Sequence, residues 1–111
     1  MKIIFTAERD SWDSLLDNRF GRAMGFILYD ENSGVISWYS NEENLNAAHG
    51  AGTKAAQMVI NSGAGVLITG NVGPKALEIL KKTDIEIYNS ETATLRNIYH
   101  AYQQGKLKKQ I

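Results

Sequence analysis

Residues 25–40 read GFILYDENSGVISWYS, and this pattern predicts a β-hairpin. Two runs of apolar and aromatic residues, 25–31 and 35–40, are separated by Asn32-Ser33-Gly34. Asparagine, serine and glycine are typical of a tight turn because they tolerate or support its backbone geometry. The apolar run KIIFTA at 2–7 predicts a buried strand before the hairpin. Three strands therefore precede the first helix, joined by a long polar loop at 8–24.

After the hairpin, an asparagine-rich loop is expected at 41–50. The hydrophobic period then becomes helical over 51–62, where small and apolar residues fall on one face. The run VLIT at 66–69 predicts a short buried strand of the parallel type. Pro74 suits the first turn of a helix that extends to about residue 82.

A last strand is predicted at 85–88 and a last helix after it. Ser90 or Thr92 would cap this helix. Its apolar face consists of four residues at helical spacing: Leu95, Ile98, Tyr99 and Tyr102.

The element order β-β-β-α-β-α-β-α predicts an α/β, ribonuclease-H-like three-layer fold. Its five-stranded mixed sheet would have the order 3-2-1-4-5, with helices covering both faces. Rossmann and flavodoxin-like folds are disfavoured, since they place a helix directly after the first strand. A chain of 111 residues fits one domain, 1–111, with a flexible tail at about 105–111.

This topology places the loops that follow strands 1, 3, 4 and 5 at one edge of the sheet. Ligands tend to bind at the carboxyl edge of an open α/β sheet. Three helices also begin there, and helix N-termini carry unpaired N–H groups and a partial positive charge. We therefore expect this edge to favour an anion.

The amino-acid composition argues against several classes of function. The net charge is zero, which argues against a nucleic-acid partner. The chain has no cysteine, which excludes disulfides and protein-ligated iron–sulfur clusters. No apolar run is long enough to span a membrane, and we expect a cytoplasmic protein.

The first candidate motif is DNRFGRA at 17–23, where Arg19 and Arg22 flank Gly21. Arginine can bind a carboxylate or phosphate through two hydrogen bonds, and glycine lets the backbone approach closely. In the alternative interpretation, Arg19 or Arg22 pairs with a neighbouring aspartate to hold the loop, and Phe20 fills the core.

The second motif is HGAG at 49–52. His49 precedes a helix, and Gly50 and Gly52 expose the backbone at the helix start. A neutral imidazole there could bind a metal, and a charged one could pair with an anion. Alternatively, His49 only orients the loop or caps the helix.

The third motif is GNVGP at 70–74, in which Asn71 and Gly73 lie between a strand and a helix. Backbone N–H groups there could surround an anion, although the lysine of a Walker loop is missing. The alternative is a plain tight connection with Asn71 near the helix cap.

Catalytic groups are scarce. A ribonuclease-H-like nuclease needs acidic residues on its first and fourth strands to hold two metal ions. Here these strands read KIIFTA and VLIT and carry no acid. We therefore expect no enzymatic activity.

The three motifs, in this order and on this element string, resemble the dinitrogenase iron–molybdenum cofactor biosynthesis family. The resemblance covers nearly the whole chain and implies a ribonuclease-H-like fold. For the nitrogenase members it implies binding or relay of an iron–sulfur–molybdenum cluster or its precursor. The family also contains stand-alone members in organisms that do not fix nitrogen.

Together these observations predict a small carrier of an anionic ligand, expected to be a monomer. The resemblance implies that this ligand is an iron–sulfur–molybdenum cluster or its precursor. The carrier's partner would be a cofactor-assembly protein, with no nucleic acid and no membrane involved. The site would comprise Arg19, Phe20, Gly21, Arg22, His49, Gly50, Gly52, Asn71 and Gly73, with His49 as the metal ligand. The alternative is a module for another small anion, or a protein-interaction domain.

Overall fold

A computed structural model describes residues 1–110. Its elements, in chain order, are β1 (Lys2–Ala7), a 3₁₀ turn (Phe20–Arg22), β2 (Gly25–Asp30), β3 (Ile36–Ser40), α1 (Glu42–Leu45), α2 (Ala51–Asn61), β4 (Val66–Thr69), α3 (Pro74–Leu80), β5 (Glu86–Asn89), α4 (Leu95–Gln103) and β6 (Lys108–Lys109). No helix among these residues is both long and apolar enough to cross a lipid bilayer.

The strands form one mixed sheet with the order β3-β2-β1-β4-β5-β6. The α/β class and the order of the first five strands were predicted correctly. The predicted number of strands was wrong, because β6 adds a sixth strand antiparallel to β5. This strand has only two residues, Lys108 and Lys109, and has no apolar pattern to reveal it. It lies in the segment that was expected to be a flexible tail.

The two faces of the sheet carry separate cores because side chains alternate along each strand. On one face, Ile4 and Leu67 pack with residues of α2 and α3 such as Val59. On the other face, Phe5 packs with residues of α4 such as Ile98. Burying each such side chain stabilises the fold by about 1.5–3 kcal/mol. Helices therefore cover both faces of the sheet, as the element order predicted.

The two predicted loops are more ordered than expected. The stretch 41–50 contains α1, a single helical turn that the asparagine-rich sequence did not suggest. The stretch 8–24 contains the 3₁₀ turn and is fastened to β1 by a hydrogen bond of 2.6 Å from the Thr6 hydroxyl to the Asp17 carbonyl.

The predicted caps of the last helix were also wrong. The side chain of Thr94, rather than Ser90 or Thr92, caps α4 by accepting a hydrogen bond from the Asn97 N–H at 3.3 Å.

The carboxyl ends of β1, β3, β4 and β5 lie at one edge of the sheet, because these four strands run in the same direction. Helix α1 follows β3, α3 follows β4 and α4 follows β5, so these three helices begin at that edge. The loop 41–50 also brings the start of α2 there. This arrangement positions the three motifs.

Candidate functional site

Glycine contacts join the three motifs. A Cβ on Gly21 would lie 2.8 Å from the backbone nitrogen of Gly52, so the first motif rests directly on the start of α2. A Cβ on Gly70 would lie 2.8 Å from the Cα of Asn18, which joins the first motif to the third. A Cβ on Gly52 would lie 3.5 Å from the Cβ of Ala76 on α3. Motifs that are far apart in the sequence therefore form one continuous surface.

Arg19 forms a two-pronged ion pair with Asp17. Its Nε donates to Oδ1 at 3.0 Å and its Nη2 to Oδ2 at 2.9 Å. The Asp17 side chain is 2% exposed and that of Arg19 is 61% exposed. The hydrogen bond and charge of Asp17 raise the pKa of Arg19 above its ordinary value. The pair holds the loop, as the alternative interpretation proposed, and leaves Nη1 of Arg19 outside the fork.

Arg22 and Phe20 also hold the first motif in place. Nη1 of Arg22 donates to the carbonyl of Leu45 at 2.7 Å, at the C-terminal end of α1. A cation there complements the negative end of the helix dipole. Phe20 is buried and contacts Phe26 edge-on, with ring centroids 6.4 Å apart. Its ring belongs to the core, while the backbone of the 3₁₀ turn forms part of the continuous surface shared by the three motifs.

Two buried asparagines, which the sequence reasoning did not select, connect the motifs. The Nδ2 atoms of Asn41 and Asn44 both donate to the Gly21 carbonyl at 3.3 Å. Asn41 also donates to the Ala23 carbonyl at 2.9 Å, and Asn44 to the Ala51 carbonyl at 2.7 Å. Among residues 1–110, no donor reaches the Oδ1 atom of either side chain. The sequence feature that could have drawn attention to these two residues is the concentration of asparagine in the stretch 41–50.

The start of α2 offers donors for an anion. Gly50 has a φ of 76°, which side-chain-bearing residues rarely adopt, and no side chain caps the helix. The first main-chain bond of the helix runs from the Lys54 N–H to the Gly50 carbonyl at 2.9 Å. His49, just before this turn, is exposed. Unpaired N–H groups and the helix dipole favour negative charge at this position.

The third motif presents a more open surface. A Cβ on Gly73 would meet no atom within 4 Å, and Asn71 is exposed. Gly73 precedes Pro74, which begins α3 as the sequence predicted.

Metal-binding side chains do not cluster in the described part of the chain. No group of three or more His, Cys, Asp or Glu residues in 1–110 is placed to hold a metal ion. At the ends of β1 and β4, where a nuclease would need acids, the hydroxyls of Thr6 and Thr69 lie 2.7 Å apart and are buried. His49 as a metal ligand stays a prediction.

Comparison with known proteins identifies the family. The dinitrogenase iron-molybdenum cofactor family matches residues 1–105, so the chain belongs to this family. An uncharacterised protein of Methanocaldococcus jannaschii is 32% identical over 96 residues, which cover 85% of this chain and 81% of that protein.

Solved structures agree with this assignment. The apo form of the orange protein from Desulfovibrio gigas is 38% identical, with a TM-score of 0.92 over 97% of this chain and 91% of that one. A Thermotoga protein described as NifB-like is 31% identical, with a TM-score of 0.84 over 97% of this chain and 91% of that one.

Proposed function

We propose that this member of the dinitrogenase iron-molybdenum cofactor family is a small, non-catalytic carrier. Its cargo would be an anionic iron–sulfur or iron–sulfur–molybdenum cluster, or a precursor of one. The main support is the convergence of the three motifs through the backbone contact between Gly21 and Gly52. Family membership supports the class of cargo. The description of the orange protein as apo implies that this relative also has a ligand-bound form.

The donor groups at this edge suit an anion held without thiolates. Because the chain has no cysteine, it cannot bind a cluster through the ligands that usually hold iron–sulfur centres. The groups present are backbone N–H groups at Gly50 and Gly52, two guanidinium groups and one exposed imidazole. Such groups bind a cluster through its negative charge and its sulfide or carboxylate acceptors.

Each predicted residue has a role in this proposal. Arg19 would contribute Nη1, and Arg22 the N–H groups that Leu45 does not use. His49 would bind a metal of the cluster or pair with its charge. Gly21 would let the first motif approach α2. Asn71 and Gly73 would border the open side of the site, and Phe20 would anchor the 3₁₀ turn from the core.

Anaerobic titration with isolated iron–molybdenum cofactor, followed by absorbance, tests the proposal. We expect saturable binding at tens of micromolar or below, weakened about tenfold or more by His49→Ala. His100→Ala is the matched control, because His100 is also exposed but lies on α4. The absence of binding to the unaltered protein would refute the carrier function.

A second candidate is a binding module for another small anion, such as a phosphate or carboxylate metabolite. It is favoured by the lack of a metal-ligating cluster in residues 1–110. Thermal unfolding with phosphate, citrate and the cofactor separates the two. A ligand at one hundred times its dissociation constant stabilises a protein by about 2.7 kcal/mol. A shift with citrate or phosphate alone would favour this second function.

We further propose that the carrier acts as a monomer and exchanges its cargo with a cofactor-assembly protein. Sedimentation equilibrium tests the first part, and the transfer of cofactor between the carrier and a nitrogenase maturation protein tests the second. A concentration-dependent dimer would contradict the monomer.

A further inference from the structure

β3 forms one margin of the sheet and has an unpaired side. Val35 accepts from the Asp30 N–H at 3.0 Å, and the Asn41 N–H donates to Met24 at 3.0 Å, so these residues face β2. Because main-chain groups alternate along an antiparallel strand, those of Ile36, Trp38 and Ser40 face outward. No other strand within residues 1–110 pairs with that side.

The features that usually protect an outer strand are missing from β3. The strand reads ISWYS and contains neither a proline nor a charged residue. Its side chains are partly open to solvent, with Ile36 at 39% and Tyr39 at 42% exposure. Proteins usually block such a strand with lysine, proline or a bulge, because an open one pairs with other chains.

A groove runs beside β3 on the face of the sheet that α2 covers. One part, of about 230 Å³, is lined by apolar groups that include Phe26, Tyr39 and Met58. A second part, of about 610 Å³, shares Met58 and continues to α1. A peptide strand paired with β3 would direct alternate side chains toward this groove.

The α1 end of the groove is rich in acceptors. Glu42 and Glu43 line it with exposed carboxylates, together with the side chains of Asn41 and Asn44. Lys54 supplies one positive charge. This end therefore suits a side chain that brings N–H donors and positive charge.

The part of the sequence that surrounds β3 is also negatively charged. Between Arg22 and Lys54 the chain has no Lys or Arg and four carboxylates: Asp30, Glu31, Glu42 and Glu43. At the opposite margin of the sheet, the basic strand β6 pairs with β5, and Lys109 Nζ lies 3.5 Å from Glu86. The molecule itself thus shows a lysine-bearing strand paired beside an acidic side chain.

We propose that β3 accepts an extended basic segment of a partner protein as a seventh strand of the sheet. The main chain of this segment pairs with Ile36, Trp38 and Ser40. Its apolar side chains enter the groove beside Met58, and a basic side chain lies near Glu42 and Glu43. This docking surface borders the cargo site at Asn41 and Asn44, which line the groove and also donate to the Gly21 carbonyl. Strand pairing at β3 does not depend on the carrier function.

A blocked peptide in which lysine alternates with valine is the probe, added to the full-length protein and followed by NMR. We expect saturable binding and slower amide exchange at Ile36, Trp38 and Ser40. The same peptide with alternate amides N-methylated should bind at least about tenfold more weakly, because it cannot pair with the strand. Equal binding of the two peptides, or no binding of the first, would overturn the proposal.

Charge variants test the choice of partner. Glu42→Lys/Glu43→Lys should weaken peptide binding about tenfold. The control Glu78→Lys/Asp84→Lys makes the same charge change at other exposed positions and should have less than about a twofold effect. Equal effects of the two double variants would argue against docking at β3. Self-association of the unaltered protein that Ile36→Pro abolishes would also overturn the proposal, because a second copy would then occupy the strand.

Discussion

Gly21 and Gly52 touch through their backbones, and this contact brings together the first and second motifs, which are far apart in the sequence. A side chain on Gly21 would meet main-chain atoms of α2, which cannot rotate away. The contact therefore accounts for the glycine at the centre of the first motif.

Gly21→Ala should lower the free energy of unfolding by about 1–3 kcal/mol, because the new methyl group must separate the 3₁₀ turn from α2. Gly73→Ala is the control. Gly73 has a φ of −66° and open space around its Cβ position, so its alanine variant should be neutral or stabilise by about 0.4–1 kcal/mol. Urea unfolding measures both. Equal losses would contradict the importance of the Gly21 contact.

Asp17→Asn should destabilise the fold by about 1.5–3 kcal/mol, since a buried carboxylate loses its two-pronged bond with Arg19. Asp13→Asn is a matched change in an exposed ion pair with Arg96, whose two side chains are both more than half exposed. It should cost about 0–1 kcal/mol. Thermal and urea unfolding would show the difference, and a larger loss for the Asp13 variant would contradict it.

Thr94→Ala should cost about 1 kcal/mol, because it removes the hydroxyl that caps α4. Thr92→Ala, at the position that the sequence suggested as a cap, should change stability by less than about 0.5 kcal/mol. Circular dichroism during urea unfolding measures both variants. A larger effect at Thr92 would restore the original cap assignment.

Stability should fall in alkaline solution because of Tyr99. Burial, followed by a hydrogen bond of 2.6 Å to Glu31, raises the pKa of Tyr99 well above its ordinary value. The unfolded chain releases this proton near pH 10, whereas the folded protein retains it. The stabilisation is therefore complete below about pH 10 and is lost as the pH rises toward the folded pKa.

The free energy of unfolding between about pH 8 and 11 measures this effect. Tyr99→Phe should make its alkaline decline shallower. Tyr39→Phe removes the same hydroxyl group from a more exposed tyrosine on β3 and serves as the control. If Tyr99→Phe and the unaltered protein decline in parallel, Tyr99 is not the cause.

The sequence predicted the sheet well where periodicity was strong and poorly where contacts with distant residues determine the structure. The hairpin, the strand at Val66–Thr69 and the start of α3 at Pro74 follow from local patterns. The strand at Lys108–Lys109 depends on pairing with β5 and has no pattern of its own. Likewise, α1 is held by Arg22 from another motif, which no local pattern could indicate.

The candidate site was predictable as three motifs but not as a bonded framework. Glycine and arginine in the first motif suggested anion binding. The pairing of Arg19 with a neighbouring aspartate was one of two interpretations that the sequence left open. Nothing in the sequence indicated that Asn41 and Asn44 hold the Gly21 carbonyl. Those bonds depend on the course of the intervening chain.

The amide groups that join the motifs have a practical consequence for handling the protein. Asn41 and Asn44 do not ionise, and the chain has no thiol to oxidise or exchange. Air should therefore leave the bonds of this framework intact. The folding of the protein without a ligand can be studied in air, and anaerobic conditions would be needed only for the cofactor titration that tests the proposed carrier function.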